Sequence, residues 1–191
     1  MSNERKIESV LKELNIMLKN EANIIKEQIF PNPNKNIKTS TIFNAPIVFD
    51  DDPPKNSKKD ATYKALRAKK GIYAFILKKD VNITKDFNKV LYGAQLKDLS
   101  KLKFYKGEVL YVGKAKSFLT RMHQHFAEPS DFNKTGSLKL GSEYRKMLID
   151  NITIYAFSLK TDYIKFYDII APTVESELHL ILKPLVGNAR V

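Results

Sequence analysis

Two short apolar runs most constrain what this chain can fold into. Gly71 to Leu77 and Val109 to Val112 are each rich in Ile, Val, Leu, Tyr and Phe, the composition of buried strands, and each carries a tyrosine beside or near a glycine. In Gly71-Ile72-Tyr73 the tyrosine closes the triplet, and in Tyr111-Val112-Gly113 it opens it. A glycine lacks a Cβ, so backbone or ligand can approach closely there, which makes the tyrosine beside it available to a substrate. The segment between the runs, residues 79 to 106, is far too long for a hairpin turn. The two strands are therefore not the arms of a simple hairpin.

A third run, Ile152 to Leu159, also reads as a strand. Helical spacing appears in several places. Residues 4 to 29 repeat apolar side chains at three and four (Ile7, Val10, Leu11, Leu14, Met17, Leu18, Ile24, Ile25) among Lys, Glu and Asn, which predicts an amphipathic helix. Ser117 suits the cap of a helix to about Phe126, and Ser142 the cap of another to about Asp150. A short helix is expected within 62–70, and helical spacing recurs over 163–170. Pro172 suits the first turn of a last helix ending before Pro184. The chain thus divides into an N-terminal helix with a Pro/Asn/Lys-rich arm over 1–60 and a mixed α+β domain over 61–191 with an insertion at about 79–106. Within the arm only Ala45 to Phe49 looks strand-like, and Asp50 to Asp52 read as a solvated turn rather than a metal site.

Charge narrows the partner. The chain has 33 Lys plus Arg against 21 Asp plus Glu, a formal net charge of +12, which favours a polyanion. With no cysteine, disulfides, thiolate metal sites and thiol nucleophiles are excluded. No apolar run reaches the roughly 18 residues of a membrane span and the first residues lack a signal-peptide core, so a cytoplasmic protein with no membrane partner is expected.

On the helix after Tyr111, Leu119, Met122 and Phe126 should face the core. Arg121 and His125 are four apart and lie one turn from each other on a neighbouring face, while His123 points the other way. On residues alone this is an exposed Arg/His pair, set directly after Tyr111-Val112-Gly113-Lys114.

Taken in order, Gly71-Ile72-Tyr73, Leu110-Tyr111-Val112-Gly113-Lys114-Ala115, Leu119 with Arg121 and His125, and Glu175 ahead of Lys183-Pro184 and Asn188 resemble the GIY-YIG nuclease superfamily over about residues 71 to 190. Val112 stands at the isoleucine of the second motif, the inter-motif segment is longer than in minimal members, and Asn188 follows Pro184 at one residue more than usual. The resemblance implies a small central antiparallel three-stranded sheet flanked by helices, here with an N-terminal helical extension. It also implies a metal-dependent endonuclease acting on DNA. Tyr73 would be the general base or the relay to it, with Lys114 and His125 increasing its phenolate character. Arg121 would grip the scissile phosphate, and Tyr111 would position phosphate or nucleophile. Glu175 would hold Mg²⁺ or Mn²⁺, with Glu177 as the alternative, and Asn188 would orient a backbone group or water at the site edge. The Arg/His spacing resembles the restriction branch, while a repair, mobile-element or phage nuclease, or a lapsed nucleic-acid-binding module, stays open. Lys134 to Lys139 and Tyr144 to Lys146 are candidates for backbone contacts. One centre cuts one strand, so a homodimer is a further candidate, with the N-terminal helix and 163–170 as surfaces.

Overall fold

The computed structural model describes residues 3–49, 65–78, 109–126 and 152–184. The expected helix from Ser142, the 79–106 insertion, Asp50 to Asp52, the basic tracts at 134–139 and 144–146, and Asn188 lie outside the described residues.

The class is α+β. In chain order the elements are α1 (Asn3–Ile29), β1 (Ile47–Phe49), β2 (Gly71–Leu77), β3 (Val109–Ala115), α2 (Phe118–Phe126), β4 (Ile152–Ser158), a 3₁₀ turn (Thr161–Phe166) and α3 (Tyr167–Leu182). The sheet order is β1-β4-β2-β3 and every pairing is antiparallel. Four described strands replace the three expected, because Ile47–Phe49 pairs with Ile154, Tyr155 and Ala156 along the open edge of β4. A strand edge presents unpaired N–H and C=O groups, and this short run covers them.

β2 is buried at every position, as a central strand covered on both faces must be. Alternation along it divides the core. Tyr73, Phe75 and Leu77 face Phe118 and Met122 of α2, whereas Ile72, Ala74 and Ile76 face α1 and α3 through Leu18, Ala22, Ile25, Val174 and Leu178. The N-terminal helix is therefore part of the core. Its C-terminal half supplies the contacts, while Ile7, Val10 and Leu11 stay exposed. Glu21, only 2% exposed, ties it to the following arm by accepting the Ser40 hydroxyl, the Thr41 N–H at 3.1 Å and the Thr41 hydroxyl.

Three boundaries differ from expectation. Only Ala65 and Leu66 are helical in the described part of 62–70, and Ala68 turns the chain with a left-handed φ of 62°. The stretch 163–170 is split between the 3₁₀ turn and the first turn of α3. Helix α3 then begins at Tyr167, so Pro172 lies inside it, where its missing N–H leaves the Asp168 carbonyl without its helical partner. Exposure of Asp168 to water makes that tolerable. The helix ends where expected, with Lys183 in the left-handed region before Pro184.

Candidate active site

The register of β2 against β3 builds the site. Tyr73 lies directly opposite Gly113 and Phe75 opposite Tyr111, so these four residues share the face covered by α2. A Cβ on Gly113 would stand 2.5 Å from the Tyr73 hydroxyl oxygen and 2.7 Å from Tyr111 Cε1. The space that a substrate was expected to use beside Gly113 is thus taken by the Tyr73 phenol itself. Gly71 answers a different need: a side chain there would run into the Phe157 carbonyl of β4.

Helix α2 starts where expected, with the Ser117 hydroxyl accepting from the Thr120 N–H at 3.4 Å. It delivers both of its chemical residues to Tyr73. Arg121 donates from Nε to the Tyr73 oxygen at 3.0 Å and from Nη2 to the Tyr111 oxygen at 3.4 Å, and Gln124 accepts from Nη1 at 2.9 Å. His125 Nε2 is 2.7 Å from the Tyr73 oxygen. Because arginine only donates, the Tyr73 oxygen accepts from Arg121, and we assign its own proton to the bond with His125 Nε2.

The Arg/His pair is not the exposed surface pair that spacing suggests: His125 is 0% exposed and Arg121 only partly exposed, while His123 is the exposed residue. The His125 ring lies edge-on to Phe75 and Tyr111, each at 5.0 Å between centroids. Burial and then the Arg121 charge hold its pKa well below the ordinary 6.5. Burial, and next the adjacent Tyr111, push the Tyr73 phenol well above 10.0, the Arg121 charge opposing. Burial works against the Arg121 charge, but Tyr73 and Tyr111 outweigh it and hold the guanidinium above its usual value. The centre is a neutral phenol bonded to a neutral imidazole, capped by a permanent cation.

Lys114 and Glu175 belong to the other face. Lys114 pairs across the ladder with Ile72, and its ammonium is bonded to the Glu175 carboxylate of α3. The cation on the Tyr73 hydroxyl is therefore Arg121, not Lys114. Glu177, two residues on, turns away and pairs with Lys19 of α1 at 3.6 Å. His179 completes this side, with Nε2 at 3.3 Å from the Val112 carbonyl. Burial, with a smaller push from Lys114, lowers its pKa against the opposing pull of Glu175 and of that carbonyl.

Tyr167, at the start of α3, stands in the sequence only as one position of a helical pattern. Burial first, then Glu175 and Asp168, push its phenol up to about 12, while Arg121 acts in the opposite sense. Its hydroxyl is thus within electrostatic reach of both halves of the site. Among the described residues no three acidic or histidine side chains gather as a metal cluster, and no helix is long and apolar enough to cross a membrane. No family model, curated protein or solved structure matches this chain.

Proposed function

We propose that this protein is a metal-dependent endonuclease of the GIY-YIG type that hydrolyses DNA phosphodiester bonds. The observation that carries the reading is the hydrogen-bonded chain Arg121, Tyr73, His125, which joins three residues from two separate motifs opposite Gly113. Hydrolysis needs an acceptor for the proton of the attacking water and cations on the phosphoryl oxygens. Arg121 is the partly exposed member and meets the phosphate first, its planar fork matching two phosphoryl oxygens. Engaging the phosphate draws Arg121 off the phenols and opens the Tyr73 oxygen. Tyr73 then takes the proton of the attacking water as its own proton passes to His125 Nε2. The relay suits a phenol whose pKa is too high for it to wait as a phenolate. Tyr111, bonded to the same guanidinium, keeps Arg121 at the site until the phosphate arrives.

Glu175 fits a Mg²⁺ or Mn²⁺ ion that keeps most of its water shell, because such ions need only one or two carboxylates besides substrate phosphate. The ion would supply positive charge to the departing oxygen. Lys114 pairs with and neutralises the Glu175 carboxylate in the substrate-free protein.

The test is cleavage of supercoiled plasmid with Mg²⁺. Arg121→Ala and Glu175→Ala should each lower cutting about 100-fold or more, whereas Glu177→Gln should cut like wild type because its partner is Lys19. Unchanged cutting in both alanine variants refutes the assignment. Discrete fragments from a long DNA would place the enzyme with restriction endonucleases, and random nicks with repair or mobile-element nucleases.

A further inference from the structure

Two lysines from distant parts of the chain converge on one buried ring. Lys70, just before β2, has its ammonium 5.8 Å from the centroid of Tyr167, and Lys116, just after β3, has its ammonium 5.7 Å from the same point. The ladder explains the meeting: Gly71 pairs with Ala115, so the residues flanking that pair emerge side by side at one end of the sheet. Lys70 and Tyr167 also line an open cleft of about 510 Å³, with Thr161, Asp162, Lys165 and Asp168 around it.

Packing alone gives a weak account of this arrangement. Cation–π contact rewards one ammonium on a ring, but bringing a second nearby adds like-charge repulsion. Asp168 offsets part of it through its 2.8 Å pair with Lys116, yet those side chains are 67% and 78% exposed, and such a pair is weak and easily exchanged for another anion. The corner carries further positive charge, since Arg67 and Lys69 are exposed on the turn leading into Lys70, and Lys165 is exposed across the cleft.

We infer that Lys70 and Lys116, held together by the Tyr167 ring, form a subsite for a backbone phosphate of duplex DNA next to the phosphate engaged by Arg121. The inference rests on the nuclease reading and assigns the substrate's path across the surface. Helix α2 begins two residues after Lys116 and carries Arg121 one turn further on, so a strand leaving Arg121 toward the start of α2 meets this corner. The Tyr167 phenol keeps its proton throughout the physiological range, so the ring that holds the two ammonium groups brings no negative charge to the subsite.

The experiment measures binding of a labelled 20-base-pair duplex by fluorescence anisotropy in EDTA, across a series of KCl concentrations, so that no cutting intervenes. One lost phosphate contact reduces the slope of log affinity against log salt by about 0.9. Lys70→Ala/Lys116→Ala should show that reduction, while Lys12→Ala/Lys19→Ala, which removes the same charge from α1, should keep the wild-type slope. In the cleavage assay the first pair should raise KM several-fold with kcat held. Equal slopes for wild type and Lys70→Ala/Lys116→Ala, or equal reductions in both double variants, overturn the subsite even if the enzyme cuts DNA. Absence of salt-dependent binding by wild type overturns the nuclease reading and the subsite together.

Discussion

Gly113→Ala tests the geometry of the site without reference to any activity. The new methyl would lie 2.5 Å from the Tyr73 hydroxyl oxygen and 2.7 Å from both Tyr73 Cζ and Tyr111 Cε1, about 1 Å inside normal carbon contact. A flexible side-chain end would step aside, but this one is held. Tyr73 is 0% exposed, its hydroxyl is fixed by His125 and Arg121, and Phe75 and Phe118 stand edge-on to its ring. Overpacking of a tight core costs about 1–3 kcal/mol. Loosening a hydrogen bond to a charged group adds roughly 1.5–3 kcal/mol. A loss of about 3–5 kcal/mol is expected, which for a chain of this size lowers Tm by roughly 10 °C.

The sharper form is a double-mutant cycle with Tyr73→Phe, read by chemical denaturation. Phenylalanine deletes the oxygen nearest the new methyl but leaves Arg121 Nε and His125 Nε2 without that partner, so alone it should cost about 2–4 kcal/mol. In the double variant the shortest of the three contacts is gone while those to the ring carbon of residue 73 and to Tyr111 remain, and the combined loss should fall short of the sum by about 1 kcal/mol. Additivity to within about 0.5 kcal/mol would refute the claim that the Tyr73 hydroxyl fills the space over Gly113.

Two further outcomes follow from buried ionisable groups. His125 is held neutral, with a folded pKa below its unfolded value near 6.5, so below that pH the unfolded chain binds a proton that the folded chain does not. Its stabilising contribution is complete above pH 6.5 and is lost as pH falls toward the folded pKa, by up to about 1.4 kcal/mol per pH unit. Denaturant midpoints between pH 6.5 and 5.5 should fall less steeply in His125→Asn than in wild type, and parallel slopes would contradict the buried neutral imidazole. Glu21→Ala strands the Ser40 and Thr41 donors and should cost about 2–4 kcal/mol, whereas Val10→Ala on the exposed half of the same helix should stay within about 0.5 kcal/mol. Equal midpoints for these two variants would refute the clamp.

Legibility in the sequence tracked the range of the interaction. Strand β2 declares itself through its apolar, β-branched and aromatic composition and helices α1 and α2 through local periodicity, and their observed limits agree with that reading to within a residue or two. Strand β1 has only three residues and exists because β4 offers an edge, which no local pattern contains. Spacing placed His125 one turn from Arg121 but could not tell which side of α2 would be closed over, because the rings around it come from β2 and β3. Glu175 and Glu177 differ by two positions, about 200° around a helix, so their partners lie on different elements, β3 and α1. Tyr167 carried no motif, and the lysines beside it become neighbours only through the register Gly71 to Ala115.

That register also explains why a four-residue stretch contributes to two separate constellations. Along β3, Tyr111 and Gly113 face α2, while Val112 and Lys114 face α3. One face thus receives the phenol and the gap that admits Tyr73, and the other receives the cation that meets Glu175. A slip of one residue would reverse every assignment, presenting Lys114 to the buried aromatic face and Gly113 to Glu175. Burying an unpaired ammonium among those rings costs several kcal/mol, and the register runs unbroken from Gly71 to Phe75, the one shift in this ladder falling between Phe75 and Ile76. Correct alternation through Tyr111, Val112, Gly113 and Lys114 is therefore a condition both for the fold and for the proposed chemistry, and the two would fail together.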